Sequence, residues 1–231
     1  MRVPQSIGLI LDGNRRWAKE QGLPAFKGHQ EGAENVKRLL LWCKDLGIRE
    51  IFLFCFSTEN FNRSKIEVNF LMKLFEHFFT KIATSADIKK NKVRVKVIGR
   101  AYLLPPSLQK KIAKAEEATR KHTNFQLNFC IAYGGRPEIT DAVKRIAEAV
   151  QLGEHDHNEI SEKTIAEQLY TESELDLVIR TSGEKRISNF LLWQTAYSEW
   201  IFYPKMWPAF TKDDLIACIE EYNARQRRYG K

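Results

Sequence analysis

Three short stretches of this 231-residue chain combine residue types that hold phosphate and stabilise departing negative charge. The first is Asp12-Gly13-Asn14-Arg15-Arg16-Trp17: a carboxylate, a glycine, an amide and two guanidinium groups in succession. Backbone N–H groups at a strand-to-helix turn face anions, and guanidinium groups clamp them bidentately. Asp12 has the chemistry to hold a divalent cation shared with phosphate oxygens. A helix cap followed by surface arginines has the same composition. The second stretch, Phe56-Ser57-Thr58-Glu59-Asn60-Phe61-Asn62-Arg63, is dense in hydrogen-bonding groups, as an ordinary capping loop also is. The third, Arg180-Thr181-Ser182-Gly183-Glu184-Lys185-Arg186-Ile187-Ser188-Asn189, offers two arginines, a glycine turn and several hydroxyls, enough for a second diphosphate site. Glu199 follows Ser188 by 11 residues, where a returning helix could present it as a metal ligand or leave it on the surface.

The elements that position these stretches follow from periodicity. Ser6–Leu11, Ile51–Phe56, Phe125–Ala132 and Leu175–Ile179 are continuous apolar runs, the pattern of strands buried on both faces. Val93, Val95 and Val97 alternate with Arg94 and Lys96, which predicts an edge-like strand, and Trp200–Tyr203 predicts a short one. Helical spacing predicts helices at Glu31–Leu46, Val68–Ala83, Pro105–His122, Arg136–Leu152, Ser161–Tyr170, Asn189–Ser198 and Lys212–Arg228, with a polar loop at Gly153–Glu159. The βα rhythm predicts one α/β domain over 1–231, with a mostly parallel central sheet of about six strands flanked by helices. Sites in such sheets lie beyond the carboxyl ends of the strands, where all three stretches fall.

Composition narrows the partners. Lys and Arg total 37 against 29 Asp and Glu, a net charge of +8, which favours anionic partners. Charge alone is the only feature that speaks for nucleic acid, and none is expected. No G-x-x-x-x-G-K-[ST] loop is present, and His155 and His157 lack companion metal ligands. Cys43, Cys55, Cys130 and Cys218 form no C-x-x-C pair and are expected as reduced thiols, most of them buried. The first apolar run is too short for a signal peptide and no run spans a bilayer, so a cytoplasmic location is expected.

Taken together, the motifs resemble those of the cis-prenyltransferase family. The matching blocks are D-G-N-x-R-W from Asp12 to Trp17, G-H-x-x-G at Gly28, His29 and Gly32, and F-S-x-E-N-x-x-R from Phe56 to Arg63. They continue with Asn128 and Tyr133–Arg136, the run Asp176–Gln194 followed by Glu199, and Arg228-Tyr229-Gly230. The D-D-x-x-D motif of the all-helical trans-prenyltransferases is absent.

The resemblance implies an enzyme that condenses an allylic diphosphate with isopentenyl diphosphate. Asp12 would bind Mg²⁺, with Glu199 completing the metal site. Gly13, Asn14, Arg15, Arg16, His29 and Arg63 would hold the allylic diphosphate, with Trp17, Thr58, Glu59 and Phe61 beside them. Arg180, Arg186 and Ser188, next to Ile187, would hold isopentenyl diphosphate. Asn60, with Ser57, would assist the proton loss that ends each cycle. The Val68–Ala83 helix, apolar on more than one face, would wall a product tunnel. A homodimer and a peripheral membrane contact for product release are also implied.

Three positions depart from the family pattern. Ala25 stands where many members carry arginine, Phe61 where tryptophan is common, and Lys185 where histidine is frequent. Ala25 and Lys185 keep open a short or branched product from a non-standard condensation. Phe125, at a position where bulk limits chain length in the family, leads to an expected product below C55.

Overall fold

The computed structural model describes residues 2–225, so the Arg228-Tyr229-Gly230 block lies outside the described residues. Its strands are β1 (Ser6–Ile10), β2 (Glu50–Ser57), β3 (Val93–Ile98), β4 (Phe125–Tyr133), β5 (Leu177–Arg180) and β6 (Glu199–Phe202). They form one sheet in the order β3-β4-β2-β1-β5-β6, and every neighbouring pair runs parallel. The eight helices of the described residues are α1 (Asn14–Glu20), α2 (Ala25–Leu46), α3 (Lys65–Thr84), α4 (Ala86–Lys90), α5 (Pro106–Thr119), α6 (Gly135–Gln151), α7 (Glu162–Glu167) and α8 (Lys212–Ala224).

Side-chain alternation divides the core between the two faces of the sheet. Ile7 and Leu9 of β1 and Ile51 and Leu53 of β2 pack with Val36, Leu39, Leu71 and Phe79 from α2 and α3. On the other face Ile10, Phe52 and Val178 meet Phe190 and Leu191. The alternating strand β3 does lie at the sheet edge, with Val93 and Val95 buried and Arg94 and Lys96 half-buried. Connections leave β1 toward β2 on one side and β5 toward β6 on the other. The carboxyl ends of β1 and β5 therefore flank a crevice, the place where open α/β sheets bind ligands.

Two expectations need correction. The second helix begins at Ala25, not Glu31, and Gly28 and Gly32 lie within it as close-contact residues. A Cβ on Gly28 would lie 2.0 Å from the Asn14 carbonyl oxygen, and one on Gly32 2.1 Å from Asn14 Oδ1. These glycines let the start of α1 rest directly on α2.

The second correction concerns residues 189–198, which form successive turns instead of a helix. Ser188, Asn189 and Leu191 have φ of 49°, 64° and 42°, values no right-handed helix contains. The segment's polar groups are committed elsewhere: Gly135 N donates to the Asn189 carbonyl at 2.7 Å, and Leu175 N to that of Gln194 at 3.1 Å. The short helix α4 had no counterpart in the periodicity. All four cysteines are free thiols; Cys43, Cys130 and Cys218 are buried and Cys55 half-buried.

Candidate active site

A cleft of about 1200 Å³ opens at the carboxyl ends of the strands. Asp12, Gly13, Asn14, Arg15 and Arg16 enter it from the end of β1 and the start of α1. His29 reaches it from α2, and Ser57, Glu59, Asn60 and Arg63 from the turn after β2. Arg180, Arg186 and Ser188 close the far side. Trp17, Thr58, Phe61 and Ile187 fall outside this lining; Phe61 instead packs edge-on against Phe56, with ring centroids 4.9 Å apart.

Asp12 and Arg180 form the polar centre. Arg180 Nη2 donates to Asp12 Oδ2 at 2.9 Å, and Arg180 Nη1 donates to Ser188 Oγ at 2.6 Å and to the Arg186 carbonyl. The Gly13 N–H donates to Asp12 Oδ1 at 2.7 Å. Gly13 adopts φ 101°, and a Cβ there would press on Met206 at 2.8 Å. Burial pushes the Asp12 carboxyl up. The Arg180 hydrogen bond and charge, the Gly13 N–H and Arg16 outweigh it, so its pKa lies below the ordinary value. Two atoms in this region are buried with no partner: Arg180 Nε, a donor, and Asn14 Oδ1, an acceptor. An unsatisfied buried guanidinium N–H marks a place for an anionic oxygen.

A second cluster faces the first. Glu67 Oε1 sits 3.2 Å from His29 Nε2 and 3.0 Å from Arg63 Nη1, and its Oε2 is 3.7 Å from Arg15. Burial lowers the His29 pKa, Arg63 and Arg15 lower it further, and Glu67 only partly offsets them, so its pKa lies below the ordinary value. One carboxylate thus gathers an imidazole and two guanidinium groups into a pocket for a polyanion. Sequence reasoning missed Glu67. Its only signal was the Ser64-x-x-Glu67 capping pattern, and Ser64 does cap α3 by accepting from Glu67 N at 3.3 Å.

Glu184 was also missed. It holds Arg16 at 3.0 Å and pairs with Arg186, and Arg16 in turn lies 3.6 Å from Asp12. The second carboxylate near Asp12 is therefore Glu184. Glu199 is not brought to that point: it opens β6 level with Leu177, three residues before the Arg180–Phe202 pair at the carboxyl end. At 3.3 Å per residue that places it about 10 Å down the sheet, where Arg225 holds its carboxylate at 2.9 Å. Among the described residues no three His, Cys, Asp or Glu side chains gather as a metal site. Asp12 with substrate phosphates still fits Mg²⁺, which is commonly bound through one or two carboxylates plus phosphate oxygens.

The Ser57–Asn60 pair is a reciprocal cap in which Asn60 Oδ1 accepts from Ser57 N at 3.2 Å. The Tyr133–Arg136 block acts through the third stretch. Asn189 Oδ1 accepts from Arg136 N at 2.8 Å, which fixes the turn that carries Ser188.

Behind the polar cleft lies an apolar cavity of about 80 Å³, sharing Asn14, His29, Cys55 and Leu71 with it. Leu74, Phe75 and Phe78 of α3 form its wall, which explains why that helix is apolar beyond one stripe. Phe78 also borders a further cavity of about 790 Å³ at the amino ends of the strands. Phe78 and Phe79 meet Phe129 edge-on, with centroids 5.4 and 5.3 Å apart, and Phe78 lines both cavities. Phe125 lines the lower one.

A strand-end crevice with two cationic clusters over an apolar cavity defines a site for amphiphilic diphosphates. Residues 10–230 match the model of the undecaprenyl diphosphate synthase family, and the chain belongs to that family of cis-prenyltransferases. It is 48% identical to the tritrans,polycis-undecaprenyl-diphosphate synthase (geranylgeranyl-diphosphate specific) of Methanocaldococcus jannaschii, over 99% of this chain and 83% of that protein. It is 46% identical to the isoprenyl transferase of Thermotoga maritima, over 100% and 98% of the two chains. Among solved structures, lavandulyl diphosphate synthase from Lavandula x intermedia in complex with dimethylallyl diphosphate superposes with a TM-score of 0.93. The two are 36% identical over 99% of this chain and 98% of that one. The protein is accordingly an enzyme of prenyl chain elongation. Among the described residues no helix is long and apolar enough to cross a membrane.

Proposed function

We propose that the chain condenses an allylic diphosphate of geranylgeranyl length with isopentenyl diphosphate, repeatedly, to a Z-configured product of undecaprenyl length. The observation that carries this reading is the Asp12–Arg180–Ser188 centre, set at a cleft that leads into an apolar cavity walled by α3. Two relatives that the chain matches over at least 99% of its own length and 83–86% of theirs carry that starter and product in their names. The lower cavity past Phe78, which Phe125 lines, gives a long chain room that the upper one lacks.

The reaction needs no protein nucleophile, because the alkene of isopentenyl diphosphate attacks the allylic carbon and diphosphate leaves. The protein's part is to align the two reactants and stabilise departing charge. His29, Arg15 and Arg63, released from Glu67, would bind the starter's diphosphate, and the orphaned Arg180 Nε with Arg186 and Ser188 that of isopentenyl diphosphate. Asp12 would hold Mg²⁺ with phosphate oxygens, and that ion would neutralise charge on the leaving group. Asn60 and Ser57, fixed by their reciprocal cap, would orient the group that takes the final proton. A homodimer in the cytoplasm completes the proposal.

The test is incubation with Mg²⁺, labelled isopentenyl diphosphate and C5 to C20 starters, followed by separation of dephosphorylated products. The reading expects the C20 starter to give the longest series and fastest incorporation. A branched C10 product from the C5 starter alone would instead favour the non-standard condensation that Ala25 and the lavandulyl relative keep in view.

A further inference from the structure

After β6 the chain runs through residues 203–206 without helix or strand, yet this segment touches both arms of the polar centre. Its backbone holds the turn after β5: Ser182 N donates to the Lys205 carbonyl at 2.8 Å, and Gly183 N to that of Tyr203 at 2.9 Å. That turn lies in the left-handed region, with φ 75° at Ser182 and 73° at Gly183. A serine keeps such a conformation only where its surroundings over-determine it. The turn serves the site directly. Ser182 Oγ accepts from Arg16 Nη2 at 2.6 Å, and Glu184 beyond it pairs with Arg16 and Arg186. On the other arm Trp207 N donates to the Asp12 carbonyl at 3.0 Å, and Met206 packs against Gly13.

One carboxylate fixes this segment, and it has more partners than its local role needs. Asp214 closes the cap of α8, where Thr211 N and Oγ1 each donate to its Oδ2 at 2.7 Å. A capping pair asks for no more. Asp214 also accepts from Tyr203 Oη at 2.8 Å and from Lys205 Nζ at 2.9 and 2.7 Å, and it is only 7% exposed. Bonds from an ammonium to a buried carboxylate belong to the strong class. We propose that Asp214 is a positioning residue of the diphosphate centre. It sets residues 203–206 through Tyr203 and Lys205, and that backbone sets the 182–184 turn and the Asp12 loop. Asp214 itself touches no substrate group. This rests on the chain-elongating function proposed above and adds to it a residue that governs the isopentenyl diphosphate side. The starter side is independent, because Glu67 on α3 gathers His29, Arg63 and Arg15.

The experiment separates the cap from the clamp in the full chain, by thermal melts and by steady-state kinetics with each substrate varied in turn. Thr211→Ala removes the cap and leaves the clamp. It should lower the melting temperature and keep kcat and both KM values within about twofold of native. Lys205→Met removes the ammonium, whose side chain is 41% exposed, and leaves the cap. It should raise the KM for isopentenyl diphosphate about fivefold or more, keep the starter's KM within about twofold, and melt close to native. Lys205→Arg, which keeps the charge, should recover most of the native KM. Asp214→Asn should combine the cap and clamp effects; if it does not fold, Tyr203→Phe takes its place. A native KM for isopentenyl diphosphate in Lys205→Met and Asp214→Asn would overturn the proposal and leave Asp214 as the cap of a helix. An equal rise in both substrates' KM would overturn it too. If the native chain condenses nothing, the proposed function fails. Titration calorimetry with isopentenyl diphosphate then tests the clamp by itself: Lys205→Met should bind more weakly than Thr211→Ala, and equal binding would overturn the proposal.

Discussion

The two ends of the sheet are built on opposite principles. At the carboxyl end charges are paired: Arg180 has 5% of its side chain exposed and grips Asp12, while Glu67 gathers His29, Arg63 and Arg15. At the amino end Arg49, Lys81 and Lys90 stand exposed at the rim without a side-chain ion pair among the described residues, and the interior is apolar. The same strands therefore present a reactive end, whose geometry is over-determined by hydrogen bonds, and a receiving end shaped by ring packing. Changes at the first should alter rates and substrate affinity, and changes at the second the length of the product.

The largest effect should come from Asp12→Ala, which removes the ionised carboxylate from the reactive end. Turnover should fall about a hundredfold or more, roughly 3 kcal/mol of transition-state stabilisation, with the fold intact by circular dichroism. Near-native turnover would remove Asp12 from the chemistry.

Arg180 and Arg186 should separate by burial. Arg180→Gln loses a charge-assisted contact and strands Asp12, so the KM for isopentenyl diphosphate should rise about tenfold or more. Arg186, 60% exposed and paired with Glu184, should cost less. Steady-state kinetics with each substrate varied in turn would expose a misassignment if the starter's KM rose equally.

How far this site could be read from the chain depended on whether a residue acts through its own side chain or through its neighbours. Asp12, Arg180, Arg186 and Ser188 announced themselves, because a carboxylate and guanidinium groups after apolar strands have few other uses. Glu67 did not, because a glutamate three residues after a serine at a helix start is an ordinary cap. Its second role appears only when α2 brings His29 beside it. The sheet was legible from its continuous apolar runs. The turns at 189–198 were not, since their left-handed residues are held by tertiary bonds to β4 and α6 that no local pattern encodes. The place of Glu199 was not legible for a related reason: its distance from Asp12 depends on strand register.

A smaller effect tests the Glu67 cluster. His29 should titrate below the ordinary 6.5. Glu67→Gln should lower it further, since burial and the two arginines remain while the offsetting carboxylate is gone. Below pH 6.5 the unfolded chain binds this proton more readily than the folded one. The stability His29 contributes is thus complete above that pH and declines as pH falls toward the folded value. Proton NMR of the ring across pH 4 to 8 would read both; a midpoint above 6.5 would contradict the geometry.

The division between the two ends is tested most directly at Phe78. Phe78→Ala, measured for first-condensation rate and final product length in the same incubation, should lengthen the products by one or more C5 units. The first-condensation rate should stay within about twofold. A denaturation curve should show a modest loss, because Phe78 is only half-buried, below the roughly 3–5 kcal/mol of a fully buried phenylalanine. A slower first condensation with unchanged product length would mean that Phe78 supports the reactive end and does not bound the growing chain.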